Sequence, residues 1–274
     1  MTYSQIKFTA VTDVALKQKP KAKKMRRLFY DLEVSPNVVF SWNVGYDIRL
    51  NPNSIIKERA VICIGYKWQH EKEAKCLSWD EKQCDKKMLL EFLEIAGRAD
   101  ELVAQNGDKF DLPWLKTRWL FHGVKTIPRF KTADTLQWAR RQFRFNSNKL
   151  DYMAEFLGIG NKLHTDFDLW RDIVLNKDKA AMKKMVDYCK QDVLLLERVW
   201  NRLQLAVSPK QHNAVLLGGS KWQCPRCASD EVQLRGKSTT AGGTIHHRAQ
   251  CMNCGGWFQM NGATKKQYEE DNKK

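Results

Sequence analysis

Two acids sit inside the stretch Arg27–Val34 (RLFYDLEV), apolar or aromatic at every other position after Arg27, and no other feature limits the fold so tightly. The composition is that of a strand. Side chains alternate along a strand, so Asp31 and Glu33 share one face while Leu32 faces the other way and can join a core. Two like charges at that spacing repel each other. They are tolerated under solvent, as on an exposed edge strand, or under a cation, as on a central one. This segment alone is consistent with both.

The remainder reads as strands followed by strands mixed with helices. Residues 38–44 are predicted as a second strand after a Ser35-Pro36 turn, and 46–58 as loop around Asn51-Pro52-Asn53. Residues 61–68 form a β-rich run, and 74–79 a weaker one. Met88, Leu89, Phe92, Leu93 and Ala96 fall on one face of a helix over 86–97. A short strand at 101–105 leads through Asn106-Gly107 into a helix over 111–121. Residues 129–132 read as a further strand, and Asp134 can cap the helix after it. Helices are expected at 150–157, at 169–175 and, longest of all, at 179–205. The class is therefore α/β, with a mixed sheet flanked by helices.

Two more segments place acids at telling positions. In Asn106-Gly107-Asp108-Lys109-Phe110-Asp111 the last residue falls at a helix N-terminus, where the dipole favours an acid. On the long helix Tyr188 and Asp192 are four apart and share a face. They lie beside an apolar stripe through Met182, Met185, Cys189, Val193, Leu196, Trp200 and Leu203. Taken singly, each segment also fits an ordinary helix start or an ordinary amphipathic rim. What they share is order: DxE, then NxxxFD, then YxxxD.

The formal net charge is +16, unevenly spread. Residues 1–27 hold eight Lys/Arg and one Asp, and 207–274 hold ten basic and five acidic residues, whereas 28–206 hold 29 basic against 25 acidic. Basic ends favour a polyanion through phosphate contacts and counterion release. The arm at 1–26, with the run KQKPKAKKMRR at 17–27, is expected to have little structure of its own. Arg140-Arg141-Gln142-Phe143-Arg144-Phe145 interleaves basic and aromatic residues in a way that suits a single strand, although the core face of a helix is the favoured reading for Trp138 and Phe143. Arg144, Lys149 and Lys162 are candidate substrate contacts. Ser35 is either a contact for a terminal nucleotide or a turn residue. Asn106 shapes its turn and supports Asp111, and with Phe110 is counted on the substrate side.

No apolar run reaches the roughly 18 residues needed to cross a bilayer. MTYSQIKFTA lacks the basic-then-apolar pattern of a secretory signal, so a cytoplasmic, reducing setting with no membrane partner is expected. Eight cysteines fall into two groups. Cys63, Cys76, Cys84 and Cys189 are scattered and read as ordinary thiols. Cys224-x-x-Cys227 and Cys251-x-x-Cys254, separated by residues 228–250, fit a tetrahedral zinc site of four thiolates, with disulfide pairing as the alternative. Gly255-Gly256 suits a tight knuckle, and His246 and His247 are spare ligands to a shell that the cysteines already complete. So short a segment cannot bury a real core, and metal is expected to supply its folding energy. Arg226, Arg235, Lys237 and Arg248 would let it grip nucleic acid; docking a protein is equally open. The expected layout is a basic arm at 1–26, a body at 27–206, a linker at 207–220, a zinc ribbon at 221–262 and a polar tail at 263–274.

The ordered acidic motifs resemble the DEDD family of exonucleases, in the branch whose third motif carries Tyr. The likeness is closer still to phage-type stand-alone exonucleases related to the editing domain of family B DNA polymerases. It runs through YDLEVSP, IIKERAVICIGYKW, AQNGDKFDLPWL, KTADTLQWARRQFRF, NKLDYMAEFLGIGNK, MVDYCKQDVLLLERVW and the ribbon, roughly residues 27–260. The resemblance implies an RNase H-like fold and two Mg²⁺ or Mn²⁺ ions held by oxygen ligands. Asp31 would bridge both ions, Glu33 and Asp192 would complete the first site, Asp111 would help hold the second, and Tyr188 would orient the attacking water. It also implies 3′→5′ digestion of DNA, with single-stranded ends preferred, to nucleoside 5′-monophosphates; a phage protein would act in the host cytoplasm. The alternatives are a 3′→5′ exoribonuclease, a structure-specific endonuclease on the same fold, and a nucleic-acid-binding module with a vestigial site. The intact set of four acids and Tyr188 argues against the last. A replication or recombination partner and the oligomeric state stay open.

Overall fold

Strand β1 (Arg27–Val34) is the middle strand of a five-stranded sheet. The chain is seen as a computed structural model that describes residues 25–45, 47–69, 71–160 and 165–273. The basic arm, apart from its last two residues, lies outside the described residues, as does Lys162. After β1 come β2 (Val38–Val39) and β3 (Ile55–Lys57), which pair with each other, then β4 (Val61–Trp68), β5 (Lys75–Ser78) and helix α1 (Lys86–Gly97). The run continues with β6 (Glu101–Ala104), α2 (Asp111–Phe121), β7 (Thr132–Asp134), α3 (Thr135–Gln142), α4 (Leu150–Phe156), α5 (Phe167–Arg171) and the long α6 (Lys179–Leu203). The sheet order is β5-β4-β1-β6-β7. β4 runs antiparallel to β1 and to β5, while β6 runs parallel to β1 and to β7, so the sheet is mixed.

The alternation in β1 builds two layers. Leu28, Tyr30 and Leu32 join Met88, Leu89 and Phe92 of α1 and Leu115 and Trp119 of α2 in one core. Phe29 joins Val193, Leu196 and Trp200 of α6 in the other, meeting Trp200 edge-on with ring centroids 5.4 Å apart. Each such large apolar side chain contributes about 1.5–3 kcal/mol on burial. The consequence for function is direct: Asp31 and Glu33 must face the side that α6 covers.

Local boundaries differ from the sequence reading in several places. The strand expected over 38–44 shrinks to Val38–Val39, because its partner β3 lies inside the segment read as loop and is itself only three residues long. The strand expected at 129–132 is shifted to Thr132–Asp134, since its ladder with β6 starts only at Thr132 opposite Leu102. The helix expected at 169–175 is α5 followed by a π-helical turn, Asp172–Asn176.

One buried acid ties β4, α1 and α2 together. Asp85, at the N-terminus of α1, is fully buried and accepts from the Val61 N–H at 3.0 Å and from Arg118 Nε and Nη2 at 2.7 and 2.8 Å. Its other contact is His122 Nε2, 2.7 Å away. Burial alone would push this carboxyl up; hydrogen bonds from Arg118, His122 and Val61 outweigh it and hold Asp85 below the usual carboxylate range. A folded value below the unfolded one, about 3.9, means that the stabilisation is present above that range and is lost as pH falls through the lowered folded value. Asp85→Ala is expected to lose about 3–5 kcal/mol, because Arg118 would stay buried without its partner. Urea unfolding at pH 7 and pH 3 measures it: the gap between wild type and variant should narrow at the lower pH, and an unchanged midpoint at pH 7 would contradict the assignment.

Beyond α6 the residues expected as linker carry helix α7 (Asn213–Leu216). Strands β8 (Val232–Thr239), β9 (Ile245–Cys251) and β10 (Trp257–Met260) form an antiparallel sheet in the order β10-β9-β8. Residues read as a polar tail instead form helix α8 (Gly262–Asp271). Tyr268 on α8 donates its hydroxyl to the Val232 carbonyl, and Asp271 accepts from the Trp222 indole, so the helix closes a small core of Trp222, Val232, Ala249 and Met260. This unit rests on the body through Arg27, whose Nη2 donates to the buried Arg226 carbonyl at 2.9 Å. Among the described residues no helix is long and apolar enough to cross a membrane.

Candidate active site and zinc centre

Pairing between β1 and β6 ends at Phe29 opposite Val103, and β6 then turns away. Asn106 makes that turn in the left-handed region, at φ +63°. Its carbonyl accepts from the Lys109 and Phe110 N–H groups, and its own N–H donates to Asp134 Oδ1. Asp134, 2% exposed, also accepts from the Asp108 N–H and from Leu136 and Gln137 at the start of α3. One carboxylate therefore locks the β6–α2 turn to β7 and α3. The turn delivers Asp111, the first residue of α2, back to β1, where its Oδ1 accepts from the Leu32 N–H at 3.1 Å. That N–H lies beyond the end of the β6 ladder, so it has no strand carbonyl on that side to take it.

Helix α6 brings the third segment. Gly65 on β4 lies opposite Asp31 in register. A Cβ there would come within 2.8 Å of the Cys189 carbonyl and 2.9 Å of its sulfur, so only glycine lets α6 press onto the sheet at this level. The Gly65 N–H donates to Cys189 Sγ at 3.1 Å, and that thiol lies 3.6 Å from the Asp31 carbonyl. With α6 so seated, Asp31, Glu33 and Asp192 each offer an oxygen within 4.8 Å of the others. Asp192 is 2% exposed, while Asp31 and Glu33 are half-buried. Asp111, also 2% exposed, is pushed well above the usual carboxylate range by burial and then by the charge of Asp31 beside it. The Tyr30 hydroxyl behind the site is raised likewise, by burial and then by Asp111.

This donor set fits a hard divalent cation. It is all oxygen, and crowded carboxylates need a counter-charge. Oxygens bound at about 2.1 Å around one ion lie no more than about 4.2 Å apart, so small rotations would close the observed spacing. Asp31 and Tyr188 line a cavity of about 700 Å³ together with Gln105, Arg140, Asn148 and Lys149. A second cavity of about 380 Å³ shares Thr165 with it and is walled by Phe110, Trp114, Phe167 and Trp170. Arg59 lies over the Trp114 ring at 5.9 Å.

Of the substrate candidates, Lys149 and Phe110 line these cavities and Asn106 holds the turn. Ser35 is 1% exposed and its hydroxyl accepts from the Ala60 N–H at 2.9 Å, as a turn residue does, and it also borders the second cavity. Arg144 donates to its neighbour's carbonyl, that of Phe143, and lines neither cavity. Trp138 and Phe143 pack against the α6 core, as favoured. Gln105 and Asn148 are groove residues that carried no pattern of their own, while Arg140 opens the basic and aromatic run. Three cysteines read as scattered, Cys63, Cys76 and Cys189, converge within 4.8 Å behind Asp31.

The second centre lies at the C-terminal end. Cys224, Cys227, Cys251 and Cys254 all fall within 4.8 Å of one another, with Cys224–Cys254 and Cys227–Cys251 sulfurs 3.6 Å apart. A tetrahedral zinc with bonds of about 2.3 Å sets neighbouring sulfurs about 3.8 Å apart, so the cluster is compatible with zinc. Both CxxC pairs close in the same way. The residue after each, Ala228 and Gly255, takes a left-handed φ of 62° and 70° and donates its N–H to the first cysteine's carbonyl at 2.9 Å. His246 and His247 lie on β9 and are not part of the cluster. Arg235, Lys237 and Arg248 are exposed, but Arg226 is buried, which removes it from any gripping surface.

The family model of the RNase H superfamily matches residues 55–204, more than half of the chain. The chain belongs to the RNase H superfamily. The matched span holds Asp111, Tyr188 and Asp192, whereas Asp31 and Glu33 precede it. Among solved structures, this RNase H-like fold is similar to the family B DNA polymerase from the hyperthermophilic archaeon Pyrobaculum calidifontis, with a TM-score of 0.51 and 15% identity. The match covers 69% of this chain but only 26% of the polymerase. A search of the curated proteins found no match. Membership of the RNase H superfamily supports a nuclease acting on nucleic acid.

Proposed function

We propose that this chain is a 3′→5′ exonuclease that removes nucleotides from single-stranded DNA ends by metal-dependent hydrolysis. The observation that carries the reading is the convergence of Asp31, Glu33 and Asp192 within 4.8 Å, with the buried Asp111 held beside them. Asp31, Glu33, Asp111 and Asp192 would hold two Mg²⁺ or Mn²⁺ ions, which would supply Lewis acidity for activating water and for stabilising a departing 3′ oxygen. The residues do the rest. Tyr188, one turn before Asp192 and in the same cavity as Asp31, orients the water by a hydrogen bond from its hydroxyl. Lys149 and Arg140 meet phosphates of the incoming strand. Phe110 and Trp114, in the neighbouring cavity, offer rings against which terminal bases stack. The likeness to a DNA polymerase favours DNA over RNA, and the four-cysteine centre is read as a zinc ribbon.

5′-labelled DNA and RNA oligonucleotides with Mg²⁺, and without any divalent ion, test this reading. A ladder shortening from the 3′ end, faster on DNA and absent without the ion, is expected. One discrete cut would make the chain an endonuclease, and an unchanged label would make it a binder. Tyr188→Phe is expected to slow the ladder by about 10- to 100-fold while leaving its direction intact, the rate equivalent of one hydrogen bond to a charged group, about 1.5–3 kcal/mol.

A further inference from the structure

A third cavity, of about 370 Å³, lies where the ribbon meets the body, and the chemistry so far described makes no use of it. It is remote from the carboxylates. Trp200, on its wall, follows Asp192 by eight residues on α6, or about 12 Å along the axis. Arg27, also on its wall, opens β1 at the end opposite Glu33. Two donors on this wall are buried without a match. Trp200 is 2% exposed and its indole Nε1 finds no acceptor among the described residues. Arg226 is 8% exposed; its Nη2 donates to the Val207 carbonyl at 2.9 Å, but its Nη1 has no acceptor among the described residues. Buried donors left so are rare; both atoms are closed off from the cavity, so what they bring to its wall is the Arg226 charge and the indole dipole.

The charges on the wall agree. Arg129, Lys131 and Lys210 join Arg27 and Arg226 there, against one acid, Glu101, which Arg27 engages at 2.8 Å and Lys131 at 3.7 Å. Lys131 donates to Asn213 Oδ1 at 2.6 Å, and burial holds its ammonium below the usual lysine range. Arg27 covers the Trp200 ring at 5.0 Å, and the half-buried Trp138, whose ring lies 6.2 Å from that of Trp200, is the other aromatic on the wall. A basic cavity with an indole wall suits a phosphate joined to a planar base, and its volume is that of a small-molecule site.

We propose that this seam binds a nucleoside 5′-phosphate, with the phosphate among Lys131, Lys210 and Arg129 and the base against Trp138. The ligand is either a free mononucleotide or the 5′-phosphorylated end of a strand.

The test is calorimetric titration of the full chain carrying Asp31→Asn, zinc-loaded, in buffer freed of Mg²⁺ without chelator. No turnover is measured, so the outcome is independent of the exonuclease reading. Adenosine 5′-monophosphate is expected to bind one equivalent with a Kd below about 1 mM. Inorganic phosphate should bind at least about tenfold more weakly, and Arg129→Glu with Lys210→Glu should weaken the nucleotide by a similar factor. Both side chains are exposed, and an unchanged Tm checks that the fold survives. A 5′-phosphorylated oligonucleotide that outcompetes its 5′-hydroxyl counterpart and the mononucleotide identifies the strand end; equal or tighter binding of the mononucleotide identifies the free form. Photo-crosslinking with 8-azidoadenosine monophosphate should label peptides spanning 129–138 or 200–211. No binding at millimolar nucleotide, phosphate binding as tightly as nucleotide, or a double variant that binds like the parent would each overturn the proposal.

Discussion

Asp31→Asn is expected to lower metal-dependent digestion by about 1,000-fold or more while leaving the fold at least as stable as before. The first half follows from charge. Asp31 shares its ligand cluster with Glu33 and Asp192 and is the charge that acts on Asp111. An amide there keeps the shape and removes the shared negative charge. Transition-state stabilisation worth several kcal/mol depends on the bound ions, and each 1.36 kcal/mol is about tenfold in rate. The second half follows from repulsion. Without metal, four carboxylates crowd one end of the sheet, two of them only 2% exposed, and neutralising one relieves like-charge and desolvation costs. Wild type should therefore gain Tm on addition of Mg²⁺ by linkage, and the variant should start level or higher and gain little. Steady-state rates together with melts at 0 and 10 mM MgCl₂ decide the matter. A variant of unimpaired rate would end the assignment, and loss of rate accompanied by unfolding would make Asp31 structural.

The second large effect concerns the ribbon. One zinc per chain is expected by elemental analysis, and Cys251→Ser should abolish it. Cys251 is fully buried and closes β9, so its sulfur links the cluster to the sheet. The unit's buried apolar core is four residues, Trp222, Val232, Ala249 and Met260, and so small a core stabilises a fold only marginally. Structural zinc contributes about 10–16 kcal/mol in comparable sites, so its loss should unfold β8 to β10. Amide exchange across 232–260 should lose protection while β1, β4 and α6 keep theirs. The body should melt somewhat earlier, since Arg27 Nη2 would lose its acceptor at the Arg226 carbonyl. Metal-free protein with full protection across β9 would refute the zinc reading.

What was legible in the sequence was whatever depends on near neighbours. Strand alternation alone put Asp31 and Glu33 on one face and Leu32 in the core. Helical spacing alone paired Tyr188 with Asp192, and the CxxC pairs declared their cluster because two residues between cysteines already set the knuckle. Boundaries failed where pairing decides them. Residues 38–44 have strand composition, yet they keep only as much strand as their short partner supports, and β7 starts where β6 offers a ladder rather than where its own residues suggest. The interior network around Asp85 was invisible, since Arg118 and His122 lie 33 and 37 residues away from it. Gly65 looked like any glycine in a β-rich run; its role exists only because α6 crosses above it.

The substrate side was the least legible. Phosphate contacts are set by which basic side chains border a groove, and a lysine or arginine carries no mark of that in its local sequence. Lys149 was named as a phosphate contact and lines the groove, whereas within the basic and aromatic run the choice fell on Arg144 although Arg140 is the residue that lines it. Arg226 ran the other way: it looked like a surface arginine and is buried between ribbon and body. Sequence by itself thus determined which acids and thiols could share a face or a knuckle, because backbone periodicity places neighbours without help. Only the tertiary structure decided that three remote acidic segments meet at one end of the sheet, because that depends on the β1–β6 ladder ending early and on a glycine letting α6 come close, and neither is a local property of the residues that do the chemistry.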